Sequence, residues 1–327
     1  MQDDAVYSYP ENGTTRVTRD EKEYQGLVTM RESILKRLQS TAVQTMGDFG
    51  IQTGYDYLKK LGITSLVEKQ EDVEGNVISD FSLSLGIGNM VNGVTNLDLT
   101  AAYAAMANEG KSVSPVFYTK VVDRTGNILF KNEQNQSQIL RKSTAWLLTN
   151  VMREYVENGA GKDADLDLDK LVAAGYGGSS AGHKDQWFEG YTPYYTAGIW
   201  SGYDDGETIT SGISCEALWK RIMLRVHEIK KIEKGSFKIP DDIIACEICT
   251  KCGGLAVKDL CDKALGGSCV QREYFVNGTQ PVQACNCHVK YRICKKSGRL
   301  ATEKCPEDQV QERVYLMKEE KGKTKDS

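Results

Sequence analysis

The side chains able to do chemistry gather in two places. Nine of the ten cysteines lie between Cys246 and Cys305, and only Cys215 stands outside that stretch. Cys246-x-x-Cys249-x-x-Cys252 has the spacing of a metal knuckle, and Cys285-Asn-Cys287-His288 offers the further sulfur and imidazole donors that a four-coordinate zinc accepts. The same thiols could pair covalently, because a small cysteine-dense segment lacks the core to fold unaided and needs a staple of one kind or the other. Disulfides require an oxidising compartment, whereas zinc does not. Metal, disulfide and free thiol all stay open at this level. The second place is Tyr176-Gly177-Gly178-Ser179-Ser180 with His183 in the following turn. His183 could serve there as a base or substrate contact, against the plainer reading of a solvent-facing loop histidine. Ser33-Ile-Leu-Lys36 has the form of a serine with a lysine base, but reads as an exposed helix face.

Composition narrows the function classes. A net charge of -4 and a pI near 5.6 give no electrostatic reason to bind nucleic acid. No window reaches the roughly 18 consecutive apolar residues of a membrane helix, so no membrane segment is expected in this chain. Met1-Gln-Asp-Asp is not a leader, and its polar start fits a chain cut from a longer exported parent. Gly86-Ile-Gly88 and Gly177-Gly178 lack the Lys-Ser/Thr or the strand-to-helix setting of a phosphate loop, so no nucleotide is expected; no cofactor is expected either.

The elements that must position these residues follow from periodicity. Residues 1–30 read as loop or irregular extended chain. Thr29 with Glu32 at the capping-box position predicts a helix carrying Ile34, Leu35 and Leu38. Further helices are predicted over 55–61, 97–108, 146–156 and 218–232. A hairpin is predicted from 117–123 and 128–130, and residues 187–203 alternate as two adjacent strands bent at Gly-Tyr-Thr-Pro. Beyond a linker at 235–240, Ile248-Cys249-Thr-Lys-Cys-Gly253-Gly-Leu255-Ala256 recurs as Ile293-Cys294-Lys-Lys-Ser-Gly298-Arg-Leu300-Ala301, which predicts two similar small units. The expected domains are therefore 1–234 and 235–316, with a disordered charged tail over 317–327.

Several segments in one order carry a resemblance. They are Gly26-Leu-Val-Thr-Met-Arg-Glu32, Tyr55-Asp-Tyr-Leu-Lys-Lys-Leu-Gly-Ile63, Leu83-Ser-Leu-Gly86, Asn92-Gly-Val-Thr95 and Ala101-Ala-Tyr-Ala-Ala-Met-Ala-Asn108. Most specific are Lys184-Asp-Gln-Trp-Phe-Glu-Gly-Tyr-Thr-Pro193 and Trp200-Ser-Gly-Tyr-Asp-Asp205. Together they make the chain similar to class A penicillin-binding proteins of clostridia-like bacteria. The resemblance implies an α+β fold, a five-stranded antiparallel sheet packed between helices as in serine β-lactamases, here in partial form with a small cysteine-rich module. It also implies an extracytoplasmic place and partners that are peptidoglycan stem peptides or β-lactams.

That family's chemistry needs Ser-x-x-Lys, Ser-x-Asn and Lys-Thr-Gly in one cleft. The first supplies a serine whose proton an adjacent base removes as it attacks the D-Ala-D-Ala carbonyl. By the family's order it is expected upstream of Met1. At the second motif the chain reads Arg37-Leu38-Gln39, where a permanent cation replaces a relay hydroxyl. At the third it reads Tyr176-Gly177-Gly178, without the ammonium and threonine hydroxyl, although Ser179 and Ser180 could still offer hydroxyls. The expectation is a transpeptidase homologue inactive as written; the rival is a non-catalytic cell-wall or partner-binding module with a metal-binding cysteine cluster. The resemblance also implies disulfides Cys249–Cys261 and Cys294–Cys305, with Cys246, Cys252, Cys269, Cys285 and Cys287 in excess of that pattern.

Overall fold

The computed structural model describes residues 1–11, 14–18, 24–133, 135–166, 171–232 and 234–317. The tail expected to be disordered falls outside them except for Met317. Two compact units result, a larger one from Gln2–Gly26 with Met30–Asp241, and a smaller one from Asp242 onward together with Met1 and Leu27–Thr29.

In the larger unit the helices are α1 (Met30–Lys36), α2 (Gln39–Phe49), α3 (Ile51–Lys60), α4 (Asn96–Ala107), α5 (Lys142–Asn158) and α6 (Cys215–Lys230). Local chemistry sets several of their ends. The Thr95 hydroxyl accepts the Asp98 N–H at 3.1 Å to start α4, and the Ser214 hydroxyl accepts the Ala217 N–H at 3.2 Å to start α6. The helix expected to run through Leu38 stops earlier, because Arg37 takes a left-handed φ of 58° and the buried Leu38 begins α2 instead. Residues 8–17 depart from the irregular reading: Ser8–Glu11 pairs antiparallel with Thr14–Val17, burying Tyr9 and Glu11 on one face. Four-residue strands alternate too briefly to show as a pattern. The predicted hairpin forms from Lys120–Val122 and Ile128–Lys131.

The strand reading of 187–203 holds. Strands β1 (Ala174–Ser179), β2 (Asp185–Tyr191) and β3 (Thr196–Gly202) form an antiparallel sheet in the order β1-β2-β3. Among the described residues the sheet has these three strands of the five that the resemblance implies. Alternation sends successive side chains to opposite layers. Phe188 meets Trp219 of α6 edge to face, with ring centroids 5.4 Å apart. Tyr191 turns the other way, its hydroxyl 2.8 Å from that of Thr149 on α5. Gly175, Gly190 and Ala197 stand side by side in register; the Phe188 ring lies against Gly175 and Gly190, and the Trp219 indole against Gly190. Its N–H donates to the Gly190 and Ala197 carbonyls at 3.2 and 3.0 Å. Tyr155, Leu166, Phe188, Trp219 and Met223 are the buried centre of this layer.

The smaller unit repeats one design twice. Strands β4 (Ile243–Cys249) and β5 (Val270–Val276) form one hairpin, and β6 (His288–Cys294) and β7 (Val310–Leu316) form the other. In the first, Cys249 N–H donates to Gly254 O, Gly253 N–H to Cys249 O and Ala256 N–H to Glu247 O. In the second, Cys294 N–H donates to Arg299 O, Gly298 N–H to Cys294 O and Ala301 N–H to Arg292 O. Gly253 and Gly298 adopt φ of 74° and 70°, a region in which a Cβ is penalised, which is why glycine stands at both places.

Candidate functional site

The residues at the second and third motif positions do meet in space. Arg37, in the turn between α1 and α2, lies against the Tyr155 hydroxyl from α5, beside Tyr176 and Gly177 of β1. The Tyr155 and Tyr176 rings are tilted against each other with centroids 4.6 Å apart. The Tyr176 hydroxyl donates to the Ile34 carbonyl at 2.9 Å, tying β1 to α1. Burial pushes Tyr176 up to about 12 against the opposing pull of Arg37, so at neutral pH it is a neutral donor, neither a base nor a carboxylate-binding cation. A Cβ at Gly177 would lie 2.5 Å from a Glu216 carboxylate oxygen and 3.3 Å from the Tyr155 hydroxyl. Space for a threonine side chain is thus already taken by α5 and α6. Tyr155 and Glu216 escaped sequence reasoning, since nothing local links them to Arg37 or Gly177.

The hydroxyl and imidazole candidates are spread over α1 and the turn that follows β1. Ser33 is buried, not exposed as its helix position suggested, and its hydroxyl is bonded to that of Thr41. Lys36 points away to Gln25 Oε1 at 2.6 Å, so Ser33 and Lys36 do not form a nucleophile and base. Ser179 is exposed at the end of β1, Ser180 accepts the Asp185 N–H at 2.8 Å, and His183 lies exposed in the turn between them. Gln39 is exposed at the first turn of α2. A concave region of about 550 Å³ lies elsewhere, between α4 and the turn from β2 to β3, lined by Leu97, Thr100, Val113, Pro115 and Tyr194. Among the described residues no carboxylate, thiol or cation lines it.

Glu189 is a further feature that the sequence did not disclose. It faces α4 from β2, fully buried, with one oxygen 3.4 Å from the Thr100 hydroxyl and the other, Oε2, without a hydrogen-bond partner among the described residues. Desolvation raises its pKa to about 8, partly countered by Thr100.

In the smaller unit six side chains converge. Ligand-type atoms of Cys249, Cys252, Cys285 and Cys287 all lie within 4.8 Å of one another, as do those of Cys249, Cys261, Cys285 and His288. None of the ten cysteines is paired with another. Cys246 belongs to neither group. Three positions before Cys249 on the same strand, it points to the opposite face. Cys261 was expected only as a disulfide partner, yet stands in the cluster. Cys294 lies within hydrogen-bonding reach of Cys305 in the second repeat.

Comparison with known proteins gives the family of the chain. A family model described as penicillin binding protein transpeptidase domain matches residues 2–207, and one described as penicillin-binding protein 1A, C-terminal domain, matches residues 239–290. The chain belongs to the penicillin-binding protein transpeptidase family. Penicillin-binding protein 1A of Clostridium botulinum (strain Langeland) is 30% identical over 302 residues, covering 90% of this chain and 34% of that protein. The chain therefore spans about a third of the length of that relative. Penicillin-binding protein 1A from Haemophilus influenzae shares the fold with a TM-score of 0.68 at 16% identity, over 86% of this chain and 45% of that one. PonA1 from Mycobacterium tuberculosis, solved in complex with penicillin V, gives 0.59 at 22% identity over 73% of this chain and 65% of that one. The α+β fold class expected from the resemblance is the one found.

Proposed function

We propose that this chain is a transpeptidase-domain homologue of the peptidoglycan cross-linking enzymes whose own residues do not assemble an acylation site. Kinship supports stem peptides and β-lactams as the ligands of the fold, and the outer side of the cytoplasmic membrane as its place of action. The hydrogen bond from Tyr176 to the Ile34 carbonyl is the observation that carries the reading. It holds a half-buried neutral phenol at the position where the family chemistry needs an ammonium for the substrate carboxylate. Arg37 adds a fixed cation where a proton must be relayed, and a guanidinium cannot give one up. Acylation also needs a serine within about 2.6–3.2 Å of a base. Ser33 is bonded to Thr41, and Ser40, although its hydroxyl lies 2.6 Å from the Asp4 carboxylate, is fully buried together with that carboxylate and out of a ligand's reach.

The test is incubation of these 327 residues with a fluorescent penicillin, followed by gel imaging and mass spectrometry. No covalent label is expected, and none with Tyr176→Lys combined with Gly177→Thr, because those changes restore neither nucleophile nor base. Stoichiometric labelling of the unaltered chain at one serine, such as Ser33, Ser40 or Ser179, would overturn the reading.

A further inference from the structure

The thiol cluster of the smaller unit has a geometry that covalent pairing does not account for. A disulfide joins two sulfurs at about 2.05 Å and leaves other sulfurs no reason to approach. Here the Cys285 and Cys287 sulfurs are 3.6 Å apart and those of Cys249 and Cys287 3.9 Å apart. Zinc-to-sulfur bonds of about 2.3 Å arranged tetrahedrally place neighbouring sulfurs about 3.8 Å apart. The observed separations straddle that edge length.

The surrounding backbone is arranged for thiolates. The backbone N–H groups of Lys251 and Cys252 lie close to the Cys249 sulfur, and that of Cys287 close to the Cys285 sulfur. Four thiolates around a dication carry a net charge of minus two, which donors of this kind offset. His288 is buried, with Nδ1 3.3 Å from the Cys285 sulfur and 3.6 Å from those of Cys249 and Cys287, where it can donate to them. Cys261 takes its own backbone donor, Val257 N–H at 3.3 Å.

The second repeat is an internal comparison. Its loop closes through the same backbone bonds, and the N–H groups of Lys296 and Ser297 lie close to the Cys294 sulfur. Yet Ser297 stands where the first repeat has Cys252, and neither group of potential ligands includes a residue of that loop. The extra cysteines therefore accumulate at one of two otherwise similar loops. They also come from separate parts of the unit. Cys249 and Cys252 belong to the first loop, while Cys285 and Cys287 lie on the segment entering β6, which is pinned to the first loop by Leu255 N–H to Gln283 O and Cys285 N–H to Leu255 O, at 2.8 and 2.7 Å.

We propose that Cys249, Cys252, Cys285 and Cys287 bind one zinc-class divalent ion as a tetrathiolate, clamping the first repeat to the start of the second, with Cys261 and His288 beside the ligands rather than on the ion. The half-buried Cys252 and Cys287 form the side from which an ion enters, and the buried Cys249 and Cys285 form its floor.

The test uses the full chain purified under reducing conditions, loaded with zinc, desalted, and measured by elemental analysis and thiol titration. One zinc per chain is expected, with four thiols that react only after chelation. Cobalt(II) loading of the unaltered chain should give a tetrathiolate spectrum, and this readout needs no variant to fold. Cys252→Ser and Cys287→Ser should lose the stoichiometric ion. His288→Ala should keep the tetrathiolate cobalt spectrum with affinity weakened about 10- to 100-fold, the size seen when a neighbour of a ligand is removed. Cys261→Ser, Cys294→Ser and Cys305→Ser should all keep the ion. A cobalt spectrum with one nitrogen ligand, lost in Cys261→Ser and His288→Ala but kept in Cys252→Ser, would overturn the ligand assignment. A folded, reduced chain that retains no zinc, or a Cys249–Cys261 disulfide peptide from material never exposed to oxidant, would overturn the site itself.

Discussion

Glu189 is where pH should act on this fold. Its carboxyl ionises near 4.5 in an unfolded chain but holds its proton to about 8 when buried against α4. Between those values the folded state binds more protons than the unfolded one, so stability falls as pH rises from about 4.5 to about 8. Below that window both states are protonated, and above it both are ionised, so this group adds no slope in either range. Glu189→Gln keeps the shape without the charge. It should raise stability near pH 7 on the order of 2 kcal/mol, with little gain at pH 4. Thermal melts of both proteins across pH 4 to 8.5 check this, and parallel curves would reject it. Nothing in the sequence marks Glu189 for this role, because a carboxylate in a half-buried strand normally faces water. Only the packing of α4 over the Glu189 face of β2 removes the water.

The sheet and α6 meet where Trp219 reaches Gly190 and Ala197, and the small size of Gly190 is what lets the indole approach so closely. A Cβ at Gly190 would sit 2.6 Å from the indole and 2.6 Å from the Phe188 ring, and both rings are fully buried with no room to retreat. Gly190→Ala should therefore cost about 2 kcal/mol or more by overpacking. Gly178 lies on β1 with open space around its Cβ, so Gly178→Ala should change stability by no more than about 0.5 kcal/mol. Urea midpoints for the two variants decide it, and equal losses would show that the small size of Gly190 is not what matters. At this scale much was legible. The aromatic alternation of 187–203 yielded β2 and β3, and the apolar spacing of 97–108 yielded α4, because each of those patterns is local. The break at Arg37 was not, since a left-handed arginine between two helices leaves no periodic trace. Nor was the assembly of Arg37, Tyr155, Gly177 and Glu216, which depends on α1, α5, β1 and α6 packing together. In the cysteine-rich stretch the Cys249, Cys252, Cys285 and Cys287 positions were readable from spacing, whereas strand alternation decided that Cys246 turns away.

Two compact units in one chain should melt separately, each with its own core. With zinc loaded, heating should give two calorimetric transitions, and a chelator should lower only the one belonging to the smaller unit, because a ligand stabilises the fold that binds it. A single transition, or a shift in both, would speak against that division. The twin loops carry a last consequence. Since the Ser297 loop reaches the same backbone closure without a cysteine at that position, the Cys249 loop owes its shape to its own amide bonds and to Gly253. The ion then enters a socket that already exists, and its capture does not wait on chain ordering. Amide hydrogen exchange at Gly253 and Gly298 should accordingly be slow in both loops even after chelation, and zinc uptake should follow simple second-order kinetics without a lag.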